Sequence, residues 1–405
     1  MKKLFTLPFI LISLLTKADY WTQKANFPGS AREGPAGFVI GTKAYMGTGY
    51  MPPCLNDFWE WDQSANTWTQ KAAFPGVVRN AAFGFAVANK GYIGMGTSCG
   101  GGNYANDFYE YDPSANSWTP KANFGGGAMG YGSGFVISGK IYYGTGTDAN
   151  YPALRNDFWE YDPIADVWTQ KANFSGSSRI YSVGFSIGNL GYVGTGQDSF
   201  NISLQDFWEY NPATNTWLQK ASLAGPAKNW AAGFSIGTGG YIGTGRTGNV
   251  NTNDFWRYDQ VNNAWIQKAT FGGVSRNDAF SFAIGTKGYI GLGSSGIELS
   301  DLWEYTPDST NGISDSGPPQ ADSDFNVSPN PAKDYCELRF TLPAFGLKKN
   351  IDITITDVNG KIIYLKSQTT DNFPLTIDIR NFSSGIYFIG INSGNKKTMK
   401  KLLKE

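Results

Sequence analysis

A basic residue recurs six positions before a phenylalanine at Arg32, Arg79, Arg179, Lys228 and Arg276, with Met129 in the one gap. A ring of such cations around a common mouth would attract carboxylates. The same side chains could instead satisfy carbonyl groups of their own loops. Two positions further on the residue types diverge: Gly34, Ala81, Tyr131, Tyr181, Trp230 and Asp278. Aromatic faces beside amides, guanidinium groups and carboxylates suit a sugar or a peptide terminus. They would equally fill a funnel. Glu33 follows Arg32, and with Asp278 it forms a carboxylate pair able, as an alternative, to exchange a proton at a sugar carbon. The expected ligand-binding set is Arg32, Arg79, Arg179, Lys228, Arg276, Tyr131, Tyr181 and Trp230.

Composition narrows the chemistry. The chain has 405 residues and no histidine, which removes His-dependent nucleophile relays and imidazole sites for zinc or copper. No cofactor and no metal are expected. Three cysteines are too few for a zinc cluster. Cys54 and Cys99 fall in equivalent loops and are a disulfide candidate if the protein is exported. Lys plus Arg (33) equals Asp plus Glu (33), so no global field favours nucleic acid.

These residues need a scaffold, and the sequence repeats one. "WTQKA" or a variant starts at Trp21, Trp68, Trp118, Trp168, Trp217 and Trp265. "DFWEY" or a variant centres on Trp59, Tyr109, Trp159, Trp208, Trp256 and Trp303. Spacings run from 47 to 50 residues. Between them lies a third element such as "GFSIGNLGYVGTG" (184–196). Period-two alternation and Gly-rich turns predict four strands per unit. The chain opens with the second half of a unit and ends the series with the first half of one. Pairing Trp21 with the strand of Trp303 would close a ring of six and leave no open seam. The six recurring acids, Asp57, Asp107, Asp157, Asp206, Asp254 and Asp301, are expected to bond backbone amides of the preceding loop. The repeated tryptophans should pack between neighbouring units.

The period, the Gly-Thr-Gly strings or variants of them (Gly47-Thr48-Gly49 and its five counterparts, Gly94-Met95-Gly96 and Gly291-Leu292-Gly293 among them), a modified form of the family's paired glycines, the tyrosine before them and the tryptophan after them resemble the kelch repeat over residues 19–306. The resemblance implies an all-β fold, a six-bladed propeller closed by an N-terminal strand. Kelch propellers commonly carry a basic residue in the loop before the first strand. The family also includes copper oxidases, which need histidine ligands, and sialic-acid epimerases. An enzyme is therefore the lesser expectation. A glycan- or protein-binding module is the main one, and a structural adhesin is a third.

Residues 1–18 combine Lys2 and Lys3, an apolar run from Leu4 to Leu15 and Thr16-Lys17-Ala18, the pattern of a secretory signal. No transmembrane segment is expected after its removal. Residues 307–324 form a polar linker. From 325 to 405, Pro329-Asn330-Pro331, Asn359-Gly360-Lys361, Gly385-Ile386-Tyr387 and a Lys-rich end resemble the C-terminal sorting domain of type IX secretion substrates. That resemblance implies a Bacteroidetes-type cell, the type IX machinery as partner, and a secreted or outer-surface location. A small immunoglobulin-like β-sandwich is expected there.

Overall fold

The computed structural model describes residues 19–99, 102–308, 325–328, 332–340, 350–357, 361–369, 375–393 and 396–404. The expected signal, most of the linker, and the Pro329-Asn330-Pro331 and Asn359-Gly360 turns lie outside them. The chain divides into two compact units, residues 1–315 and 316–405.

In the first unit the described residues form six four-stranded antiparallel sheets, five of them with strands in sequence order from inside out. Sheet one comprises Ala36–Ile40, Lys43–Gly47, Phe58–Asp62 and Thr67–Lys71. Sheets two to six start at the inner strands Phe83–Val87, Ser133–Ile137, Val183–Ile187, Ala232–Ile236 and Phe280–Ile284. Each inner strand packs against the next, and the last returns to the first.

Sheet six takes its outer strand from the other end of the unit. Tyr20–Gln23 pairs antiparallel with Leu302–Thr306, matching Trp21 with Tyr305 and Gln23 with Trp303. The details at this seam copy the other five junctions. The outer-strand indole donates to a carbonyl of the preceding sheet, as in Trp68 to Ala25, Trp118 to Ala72 and Trp265 to Ala221; Trp21 donates to Ala269 in the same way. At internal junctions a turn residue such as Asn263 accepts from the Ala221 amide and the Tyr258 hydroxyl. Among the described residues sheet six has no such turn, because its third and outer strands come from opposite ends of the unit. Asp19 stands in, accepting from the Ala269 amide at 2.7 Å and the Tyr305 hydroxyl at 2.8 Å.

Two recurrent features explain the composition. The inner-strand phenylalanine of one sheet lies over the second strand of the next, and a Cβ added at Gly191 or Gly288 would fall 2.1 or 2.2 Å from Phe135 or Phe234. Glycine there lets the sheets approach closely. The second glycine of each Gly-X-Gly string has a φ between 84° and 100°. Its amide donates to the next sheet's loop: Gly49 to Arg79, Gly96 to Met129, Gly146 to Arg179, Gly196 to Lys228, Gly245 to Arg276, and Gly293 to Arg32. These six bonds close a complete circuit. The tryptophans sit between sheets as expected, for example Trp118 edge-on to Phe58 at 4.9 Å.

The second unit pairs a three-stranded sheet (Phe325–Ser328, Tyr335–Phe340, Leu375–Asp378) with a four-stranded one (Asn350–Asp357, Ile362–Thr369, Gly385–Ser393, Lys396–Lys404). Leu338 and Ile377 of the first and Ile353, Ile389 and Leu402 of the second share one buried core.

Candidate functional site

The basic series takes a different role from the binding one expected. Arg32, Arg79, Arg179, Lys228 and Arg276 have no exposed surface at all. Each is paired with the recurring aspartate of its own sheet: Arg32 with Asp57 (2.8 Å), Arg79 with Asp107 (2.7 Å), Arg179 with Asp206 (2.6 Å), Lys228 with Asp254 (2.6 Å) and Arg276 with Asp301 (2.7 Å). The same side chains donate to loop carbonyls, as Arg179 does to Ser177 and Thr195. Arg32, Arg79, Arg179 and Arg276 also lie 4.7–4.9 Å above Phe27, Phe74, Phe174 and Phe271. Buried and held by an aspartate and by loop carbonyls, these five side chains do not face the solvent where a ligand would approach.

The aspartates likewise depart from expectation, accepting from side chains. Besides the cation, Asp57, Asp157, Asp206, Asp254 and Asp301 each accept the indole N–H two residues on, at 2.7 Å. Burial alone would raise the Asp206 carboxyl, but the hydrogen bonds and charge of Arg179 overcome it and hold it below the ordinary value. Asp57 and Asp301 are balanced the same way. Burial brings Lys228 below the usual lysine range despite Asp254.

Sheet three keeps the pair with a different cation. Met129 occupies the base position and is fully buried. Arg155, from the loop between the second and third strands, reaches Asp157 instead with Nε at 2.8 Å and Nη2 at 2.6 Å. The ion pair is kept while its cation comes from a different loop.

Two residues beyond the basic series, all six positions adopt left-handed backbone: Gly34 (φ 58°), Ala81 (52°), Tyr131 (60°), Tyr181 (59°), Trp230 (52°) and Asp278 (50°). Five of these residues are not glycine, so the conformation carries strain. A relay of five backbone bonds runs around the mouth from Gly34 to Ala81: Gly34 N to Asp278 O, Asp278 N to Trp230 O, Trp230 N to Tyr181 O, Tyr181 N to Tyr131 O, and Tyr131 N to Ala81 O, at 3.0–3.3 Å. The turn aims each side chain at the axis. All six line an axial cavity of about 380 Å³ that continues between the inner strands.

The walls of this mouth differ in chemistry. Tyr131 meets Tyr181 edge-on at 5.0 Å, and Tyr181 meets Trp230 at 4.5 Å. Arg246 lies 5.6 Å over the Trp230 ring. Asp278 comes next, and a Cβ on Gly34 would sit 2.8 Å from its Oδ2, so glycine makes room for the carboxyl. Burial, then the charge of Glu33, pushes Asp278 up to about 7. Burial, then Glu298, raises Glu33, opposed by Arg246 and Ser294. Burial, then Asp278, pushes Tyr131 up to about 12. Trp230 Nε1, Arg246 Nε, Asn80 Oδ1 and Asn277 Oδ1 are buried and bond no protein atom.

The structure therefore brings together Tyr131, Tyr181, Trp230, Asp278 and Glu33, and removes the five bases. The one sequence sign of the ion pairs was that Arg155 appears two residues before Asp157 in the unit where Met129 replaces the base. Cys54 and Cys99, in the loops after the second strands of sheets one and two, are bonded, with Cα atoms 5.6 Å apart. The loop before each inner strand meets the loop after the second strand of the same sheet through bridges such as Glu33 with Tyr50 and Asn277 with Ser294. Among the described residues no cluster of His, Cys, Asp and Glu could hold a metal, and no helix is long and apolar enough to cross a membrane.

Residues 326–405 match the family described as the secretion system C-terminal sorting domain. No curated protein matches the chain. Among solved structures, "Structure of YjhT" is similar with a TM-score of 0.59 and 16% identity, over 70% of this chain and 97% of that one. At that identity the likeness carries the fold, a β-propeller. The chain thus joins a β-propeller to a C-terminal sorting domain, and that domain marks it as a secreted or cell-surface protein.

Proposed function

We propose that this chain is a six-bladed kelch-type propeller (19–306), joined by a linker (307–324) to an immunoglobulin-like type IX sorting domain (325–405), and that it binds glycans at the axial mouth. The implied source is a Bacteroidetes-type cell, and residues 1–18 are its export signal. The observation that carries the binding reading is the inner ring: Tyr131, Tyr181 and Trp230 form a continuous aromatic wall next to Asp278. Sugars present C–H faces that lie on such rings and hydroxyls that need directed partners. Trp230, on the cavity wall, has its Nε1 buried without a protein partner. Asp278, largely neutral below about pH 7, adds an O–H donor. A glycan and peptide array tests this. Glycan hits that fall about tenfold or more in Trp230→Ala support it; peptide hits alone, or a profile unchanged by Trp230→Ala, reject it.

A second reading draws on one further feature, the electrostatic coupling of Glu33 with Asp278. Two carboxyls with raised affinity for protons at one mouth could shuttle a proton at a sugar carbon, as in an epimerase. Glu33→Gln and Asp278→Asn should each abolish turnover of an aldose. Turnover that survives both changes removes the pair from consideration.

A further inference from the structure

A second cavity lies outside the mouth, between the loops of sheets two and three. It measures about 350 Å³ and is lined by Gly102, Asn103, Tyr104, Ala128, Asp148, Ala149 and Asn150. Tyr104 links it to the axial site. Its ring lies against Gly130, where an added Cβ would sit 3.4 Å from Cδ1, and Gly130 directly precedes Tyr131. Its backbone bridges Thr97, which pairs with Asn80 at the mouth. Tyr104 therefore stands beyond the Tyr131 end of the aromatic arc formed by Trp230, Tyr181 and Tyr131. Tyr104 and Asp148 line the same cavity, and burial, then the charge of Asp148, raises the proton affinity of Tyr104. Asp148 is itself held by the Asn150 amide at 2.8 Å and by Arg155 at 3.5 Å. Asn103 and Asn150 are exposed.

The geometry points to an outer subsite at Asn103, Tyr104, Asp148 and Asn150, so that the ligand is an oligosaccharide with one unit in the axial mouth and the next units across Tyr131 and Tyr104. This rests on the glycan reading of the mouth. Its chemistry is the same as that of the mouth: one aromatic face, with amides and a carboxylate for hydroxyls. Two cavities, each within the usual size of a small-molecule site, exceed what a single sugar ring would use. A chain would occupy both, and the second contact would add affinity without a second entropic cost of association.

The test uses the full mature chain and ladders of cello-, xylo-, manno- and chito-oligosaccharides from one to six units, titrated calorimetrically. The wild type should gain roughly tenfold in affinity between one and four units in at least one ladder. Tyr104→Ala should erase that gain and leave the monosaccharide affinity unchanged, and Asn150→Ala should reduce the gain. Trp230→Ala should weaken every length. Unfolding midpoints matching the wild type show that Tyr104→Ala and Asn150→Ala fold. A Trp230-dependent affinity that does not grow with length overturns the outer subsite alone, as does a length gain untouched by both Tyr104→Ala and Asn150→Ala. Binding by none of the ladders overturns the glycan reading and the subsite together.

Discussion

Two rings of side chains lie two residues apart along each loop, and they have opposite fates. The ring at Arg32, Arg79, Met129, Arg179, Lys228 and Arg276 is nearly uniform, fully buried and, where basic, ion-paired. The ring at Gly34, Ala81, Tyr131, Tyr181, Trp230 and Asp278 varies from sheet to sheet and faces a cavity. In a repeated fold, a residue that recurs in every unit answers a need that recurs in every unit. A binding site needs no sixfold copy, so its residues show where the copies differ. Charge at a mouth is therefore a poor guide to function until burial is known. A guanidinium with Asp, two carbonyls and a phenylalanine face around it is part of the frame.

The largest effect should come from the uniform ring. Arg179→Met leaves Asp206 half-buried and unpaired, and should lower stability by roughly 3–5 kcal/mol in chemical denaturation. Arg179→Lys should cost less, because Lys228 fills the same place in sheet five. Sheet three sharpens the point. Arg155→Ala should cost ~2 kcal/mol, the range of a charged hydrogen bond. Adding Met129→Arg should restore part of that loss, since the usual base position would again face Asp157. No recovery would mean that the two cation sources are not interchangeable.

At the seam, Asp19→Ala removes acceptors for the Ala269 amide and the Tyr305 hydroxyl and should cost ~1–3 kcal/mol. Hydrogen exchange should speed up first in residues 20–23, and Asp19→Asn should behave almost as the wild type. Equal exchange in Asp19→Ala and the wild type would mean that the stand-in contributes nothing.

The rings also titrate with opposite sign. Asp57, Asp206, Asp254 and Asp301 are held below their unfolded values, so their stabilisation is present above about pH 4 and is lost as pH falls through the lower folded values. Asp278 binds its proton more tightly folded than unfolded. Its contribution is full below the ordinary carboxyl range and is lost as pH rises toward about 7. Asp278→Asn should therefore flatten stability between about pH 4 and 7 and leave the acid limb unchanged. An identical slope in wild type and variant would show that the mouth does not hold Asp278 as described.

Much of this frame was legible in the sequence. The 47–50-residue spacing and the two half-units at Trp21 and Trp303 predicted the sheets and the strand that closes them. Alternation and Gly-rich turns act locally, so local patterns reveal them. The Arg–Asp pairs were missed because partners such as Arg79 and Asp107 lie 28 residues apart, joined only by loop geometry. Periodicity records that both recur, not that they touch. Nor did it show the left-handed backbone at Tyr131, Tyr181 and Trp230, residue types that rarely adopt it. The divergence of those positions was visible, and it was the useful signal.

A crystal structure of the propeller soaked with a glycan identified by array would test the central claim most directly. The account predicts a sugar ring against Trp230 and Tyr181, with polar contacts to Asp278 and the five buried bases untouched. A ligand bound away from the axial mouth, or one that reaches Arg32, Arg79, Arg179, Lys228 or Arg276, would contradict it.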